Sequence, residues 1–119
     1  MPLCRKLMKV AVIGVGHVGR EHARLYSQLP DVELAGVVDI LRPRAEEVAA
    51  LHQTTPFTDY REILGKVDAA TLAVPTMDHA RIGIDLLENG IDVLVEKPIA
   101  ASLEEGQALI EAEIGRAHV

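Results

Sequence analysis

Three glycines and one acid carry the first chemical signal in the chain. Gly14, Gly16 and Gly19 stand in the spacing G-x-G-x-x-G, directly after the apolar run Val10–Ile13 and at the head of a helical pattern. Gly14 lets a strand turn sharply, Gly16 has no Cβ and leaves its backbone open to a pyrophosphate, and Gly19 lets a helix pack close to the strand. The free N–H groups and positive end of a helix starting at His17 then face phosphate oxygens. The stretch Gly14, Gly16, His17, Val18, Gly19 therefore reads as a phosphate loop, with His17 contributing its backbone N–H and holding its imidazole in solvent. Glycines also punctuate ordinary turns, so the loop needs a second signal. Asp39 supplies one, because it follows Gly19 by 20 positions (39 − 19). That is the spacing expected of the acid that accepts hydrogen bonds from the hydroxyls of an adenosine ribose. Such an acid repels a 2′-phosphate and favours NAD over NADP. Arg42 and Arg44 follow closely and can turn towards a phosphate, which leaves NADP open.

The elements that would position these residues alternate along the chain. Strands are expected at Leu7–Ile13, Val32–Val38, Thr55–Thr58, Asp68–Val74 and Ile91–Val95. Helical segments are expected at His17–Leu29, Pro43–His52, Asp59–Leu64 and His79–Asn89, the last capped by Thr76 or Asp78 and closed by Gly90. Ser102-Leu-Glu-Glu105 is a capping box opening a final helix through Ala112. On the first helix Val18, His22, Leu25, Tyr26 and Leu29 share one face and are expected to pack inwards. Strand–helix alternation means right-handed βαβ units and a single α/β domain, a doubly wound parallel sheet of the Rossmann dinucleotide-binding type. In such a sheet ligands bind beyond the carboxyl ends of the strands. Four strands end there in something unusual: the glycine loop, Asp39, Pro75-Thr76 and Glu96-Lys97-Pro98. Lys97 at the end of a buried strand can reach into the cleft and donate to a nicotinamide ribose or a substrate hydroxyl; an ordinary solvated lysine is the other reading. His79 opens a helix either as a surface residue or as a cofactor contact.

Bulk composition narrows the class. The chain has 119 residues, 49% hydrophobic and 25% charged, with aromatics at only 3%. A core of Val, Ile, Leu and Ala suits a parallel sheet covered on both faces. The net charge of −6 argues against a nucleic-acid or anionic-membrane surface. One cysteine, Cys4, permits neither an intrachain disulfide nor a cysteine-based metal site and points to a reducing, cytoplasmic compartment. No apolar run approaches the ~18 residues that span a bilayer. No His, Asp or Glu spacing suggests a metal. Met1–Leu7 reads as a leader, with Met8 an alternative start.

Taken together, Gly14–Gly19, Asp39, Val74-Pro75-Thr76-Met-Asp-His79 and Glu96-Lys97-Pro98 resemble the Gfo/Idh/MocA oxidoreductases, over roughly Met8 to Ala112. Within that family the pattern looks nearest to UDP-N-acetylglucosamine 3-dehydrogenase-like members. The resemblance implies NAD or NADP as cofactor and hydride transfer at a hydroxyl-bearing carbon of a sugar, inositol or nucleotide sugar. It implies that Lys97 helps hold substrate and nicotinamide and assists proton transfer. It implies that Pro75, Thr76, His79 and Glu96 line the cofactor cleft. Family members carry a second domain with the substrate pocket and main acid/base, and act as oligomers. That domain is expected to be missing here, since residues 113–119 match one reading frame of a common sequencing adapter and read as a non-native tail. The isolated chain is then expected to bind the dinucleotide without turning over a substrate. Two other readings are a non-catalytic NAD-binding sensor or regulatory module, and a different Rossmann user such as a methyltransferase; Asp39 and the three-glycine loop favour a dinucleotide.

Overall fold

The computed structural model describes residues 7–75 and 78–95. Strands β1 (Met8–Ile13), β2 (Val32–Val38), β3 (Pro56–Phe57), β4 (Ala69–Leu72) and β5 (Asp92–Val95) form one sheet in the order β3-β2-β1-β4-β5. Every pairing is parallel. Helices α1 (His17–Gln28), α2 (Arg42–His52) and α3 (His79–Glu88) make the crossovers, and a 3-10 turn at Tyr60–Ile63 lies between β3 and β4. The chain winds outwards from β1 in one direction through β2 and β3, then returns and winds the other way through β4 and β5. That is the doubly wound arrangement predicted from the alternating pattern, with its switch point between β1 and β4.

Period-two alternation divides the sheet's two faces. Val12 and Val37 pack with Val15, Ala23, Val48 and Ala49 under α1 and α2. Their neighbours Ala11, Ile13 and Val38 point the other way and join Ala70, Leu72, Ile63, Ile82, Leu86 and Ile91. Both faces of β1 are therefore buried, as a central parallel strand requires.

Several expected boundaries shift for physical reasons. β4 was expected to run to Val74 and stops at Leu72. The Ala73 N–H still donates to the Ile13 carbonyl at 2.8 Å, but β1 turns away at Gly14 and gives Val74 no partner on that side. The Thr55–Thr58 strand reduces to Pro56–Phe57. α1 buries a different face from the one expected. Gly19 and Ala23 are its buried residues and Tyr26 is half-buried, its hydroxyl bonded to Thr71 Oγ1 on β4 at 2.6 Å. Val18, Leu25 and Leu29 are each close to half exposed. The helix lies against the sheet through small residues, and the larger apolar ones ride one position round, on its outer side. Gly90 closes α3 as expected. Its φ is +77°, and the Gly90 and Ile91 N–H groups donate back to the Leu87 and Leu86 carbonyls at 3.1 and 3.0 Å, a Schellman cap. The leader, the helix expected after Ser102 and the 113–119 tail lie outside the described residues.

Candidate functional site

The three glycines of the loop do three different jobs. Gly14 follows β1 with φ +90°, and its N–H donates to the Val38 carbonyl of β2 at 2.6 Å. A Cβ there would lie 2.6 Å from the Ala73 carbonyl oxygen. Gly19, in the first turn of α1, rests on the Gly14 carbonyl so closely that a Cβ would overlap that oxygen. Both positions are glycine because the protein itself demands it. Gly16 is unlike them. Its φ of −72° suits any residue, and a Cβ would meet only Arg44 Nη1 at 3.7 Å, an ordinary contact. Nothing among the described residues requires a glycine at 16. What a side chain would obstruct there is the space outside the loop, where α1 begins. The first helical bond runs from the Arg20 N–H to the Gly16 carbonyl at 2.9 Å, so the amides of His17, Val18 and Gly19 precede the ladder. No acidic side chain occupies that first turn.

Asp39 follows β2 immediately and is nearly buried, at 7% exposure. Its Oδ2 accepts from the Val15 N–H at 3.1 Å and its Oδ1 from the Leu41 N–H at 2.9 Å. Each carboxylate oxygen has two lone pairs, so each retains one acceptor site. The carboxylate is thus fixed by two backbone donors while able to accept two more bonds, the number an adenosine ribose offers through its 2′- and 3′-hydroxyls. Arg44 Nη1 stands 3.6 Å from Oδ2 with its side chain 43% exposed. Spacing alone indicated the acid; it could not show that the loop amides hold it in place.

Gly14, Gly16, Asp39 and Pro75 line one cleft of about 610 Å³ at the carboxyl edge of the sheet. Side chains from the β2–α2 loop, the 3-10 turn and the start of α3 complete it. Three of its arginines are each held by an aspartate from the same loop: Arg44 by Asp39, Arg61 by Asp59 at 2.8 Å, and Arg81 by Asp78 at 3.1 Å. The cleft therefore carries paired rather than excess charge, although the chain is acidic overall. The Arg61 side chain and backbone N–H hold the Asp59 carboxyl below its usual range. Burial first, and then the bond its hydroxyl donates to Asp85, push the Tyr60 phenol upwards. From the sequence, Asp59, Tyr60 and Arg61 belong to a short helical segment that resembles the family's stretch before its next strand, but neither they nor Arg81 receive a site role, because side chains in short segments carry no periodic signal.

Other predicted residues fall elsewhere. His17 and Val18 are exposed and Gly19 is buried behind the loop. His79 is 1% exposed, so it is no surface residue; its Nε2–H donates to the Val74 carbonyl at 2.9 Å, fixing the loop that leads from β4 into α3. Thr76, Glu96 and Lys97 lie outside the described residues. Among the described residues no group of three or more His, Cys, Asp or Glu could hold a metal ion, and no helix is long and apolar enough to cross a membrane.

The model of an oxidoreductase family, Gfo/Idh/MocA, described by its NAD-binding Rossmann fold, matches residues 8–118. The chain belongs to this family. Its relatives within Gfo/Idh/MocA include UDP-N-acetylglucosamine 3-dehydrogenase from Acidithiobacillus ferrooxidans, 40% identical over 103 residues, covering 87% of this chain and 32% of the relative. Another is scyllo-inositol 2-dehydrogenase (NAD(+)) from Bacillus subtilis, 37% identical over 108 residues with the same two coverages, 87% and 32%. Solved structures agree. The Acidithiobacillus ferrooxidans 3-dehydrogenase superposes with a TM-score of 0.88 at 38% identity, over 93% of this chain and 36% of that one. A complex of GenD2, from gentamicin A biosynthesis, with NAD superposes with a TM-score of 0.88 at 30% identity, over 94% of this chain and 33% of that one. The chain spans about a third of the length of the curated relatives it matches.

Proposed function

We propose that this chain is the dinucleotide-binding half of an NAD-dependent dehydrogenase that moves hydride between the nicotinamide and a hydroxyl-bearing carbon of a sugar, inositol or nucleotide sugar. The observation that carries the reading is the pairing of Gly16 with Asp39. One leaves open a backbone surface that the protein does not itself use; the other presents a fixed carboxylate with two acceptor sites beside it. A pyrophosphate fits the first and an adenosine ribose the second. The family's NAD-binding domain and the dehydrogenase activities of its relatives support the reaction class.

Bound NAD would supply the hydride acceptor. The work of this chain is positional. The amides of His17, Val18 and Gly19 hold the phosphates, Asp39 holds the ribose, and Pro75, with Thr76 and His79 in the same segment, shapes the path towards the nicotinamide. Glu96 and Lys97 complete the reading at the end of β5, with Lys97 donating to the reacting hydroxyl and assisting its proton transfer. Hydride transfer needs the carbinol carbon held against the ring, and in this reading the substrate pocket and main acid/base come from the part of a full-length protein that this chain does not match. Oligomeric assembly and a cytoplasmic setting belong to the same proposal.

Calorimetry of the 119-residue chain with NAD tests it. Binding should be observed and should be lost in Asp39→Ala, and the chain alone should give no steady-state oxidation of inositols or sugars. Absence of NAD binding would refute the cofactor assignment. Turnover by the isolated chain would refute its assignment as half of the catalytic unit.

A further inference from the structure

His79 is the first residue of α3 and is buried, and it does not line the cleft, whose wall here is Val74, Pro75 and Asp78. That wall belongs to the β4–α3 loop, at the switch point of the sheet, and it leans on the phosphate loop. The Ala73 carbonyl oxygen and Val74 Cγ1 stand 2.6 and 2.9 Å from where a Cβ on Gly14 would lie. Three hydrogen bonds tie the wall down: Ala73 N–H to the Ile13 carbonyl at 2.8 Å, Asp78 N–H to the Pro75 carbonyl at 2.9 Å, and His79 Nε2–H to the Val74 carbonyl at 2.9 Å. The first two join backbone groups. The third depends on the imidazole. The peptide it holds is a special one. Pro75 brings no N–H, so the Val74–Pro75 peptide has a single hydrogen-bonding group, the Val74 carbonyl. A carbonyl only accepts, which makes the imidazole the donor.

We infer that His79 is a positioning residue for the dinucleotide: it holds the Val74 carbonyl towards α3 and so keeps an acceptor oxygen from turning into the cleft. A carbonyl in the wall of an open cleft must be satisfied by a protein donor behind it or by water in front of it. His79 supplies the donor behind. Without it the oxygen gains its partner by rotating outwards, and its negative end then faces the space beside Gly14 and Gly16. A pyrophosphate there is anionic and is repelled by that oxygen. The same rotation moves Val74 off Gly14, the residue that turns the phosphate loop. His79 thus acts on the ligand through the Val74–Pro75 peptide and touches no part of it. The inference rests on the pyrophosphate site assigned under Proposed function.

The test is calorimetry with NAD on the full chain, unsubstituted and as His79→Leu, His79→Met and His79→Gln, with denaturant unfolding of each. Leucine and methionine keep apolar volume and remove the donor; glutamine offers a side-chain N–H at a similar reach. The donor-free variants should weaken NAD by about tenfold, the scale of one misplaced hydrogen-bonding group. His79→Gln should return affinity to within about threefold of the unsubstituted chain. All three replace a fitted buried ring and should lose stability, so stability follows packing while affinity follows the donor. If His79→Gln bound NAD no better than the donor-free variants, or if those variants bound it as tightly as the unsubstituted chain, the inference would be overturned and the pyrophosphate site would stand. NMR of the imidazole nitrogens in the unsubstituted chain tests the bond without any substitution. Nε2 should carry a slowly exchanging proton both with and without NAD; an unprotonated Nε2 would overturn the inference. An unsubstituted chain that binds no NAD would overturn the site itself, and the inference with it.

Discussion

A methyl group added at Gly16 and one added at Gly19 ask two different questions of the loop. At Gly19 it collides with the Gly14 carbonyl oxygen, a backbone atom that no rotamer change can move. Gly19→Ala should destabilise the fold by about 1–3 kcal/mol, the cost of overpacking, even after the helix gains from alanine. At Gly16 the methyl meets only the end of the Arg44 side chain. Gly16→Ala should leave stability within about 1 kcal/mol, the usual size of an N-cap change, and lower NAD affinity tenfold or more. Denaturant unfolding and calorimetry on both variants check this; comparable affinity losses at comparable stability losses would mean that Gly16 is structural too. The sequence shows all three glycines and the acid at the right distance, because spacing is a property of the chain. It does not show which glycine the protein needs for itself, since that depends on Ala73 and on the Gly14 carbonyl, brought close only by the folded strands. Nor does it show that Val15 and Leu41 hold Asp39, or that Arg44 leans over the loop. Lys97, Glu96 and Thr76 remain expectations carried by the family pattern.

Among the elements, β2 matches its predicted span residue for residue and the strand order follows from alternation and handedness. The buried side of α1 takes in Tyr26 but is centred one position round from the stripe that hydrophobic periodicity picks out, and the cause is general. Periodicity weighted by hydrophobicity selects the bulky apolar residues Val18, Leu25 and Leu29. Close packing of a helix on a sheet selects the small ones, Gly19 and Ala23. The two stripes lie one residue apart, about 100° round the helix. Ala23 is fully buried against Val12 and Val37, so Ala23→Leu should cost about 1–3 kcal/mol through overpacking. Leu25→Gln, on the outer stripe, should stay within about 0.5 kcal/mol of the parent. Urea unfolding of the two variants separates these faces, and a larger loss for Leu25→Gln would restore the orientation expected from the sequence. The short β4 has the same lesson: Ala69–Val74 is apolar apart from Thr71, but a strand lasts only as long as its neighbours, and β1 leaves at Gly14.

At the scale of the whole molecule, ligand binding and folding are linked. Only the folded sheet brings the β1–α1 and β2–α2 loops together, so the unfolded chain has no adenosine site. NAD at a hundred times its dissociation constant should therefore add about 2.7 kcal/mol to the unfolding free energy. Thermal unfolding with and without NAD should show a rise in midpoint of roughly 10 °C for a domain of this size, absent in Asp39→Ala. No shift at saturating NAD would show that the site does not form in this chain. The same two loops bear on how binding is driven. Asp39 already ties them to one another through the Val15 and Leu41 amides. Its rotamer is set and its backbone neighbours are ordered before any ligand arrives. Little conformational entropy remains to be lost at the ribose end, so a larger share of each new hydrogen bond appears as affinity. The acid is a preorganised receptor group because it is first a structural tie between two strands of the sheet.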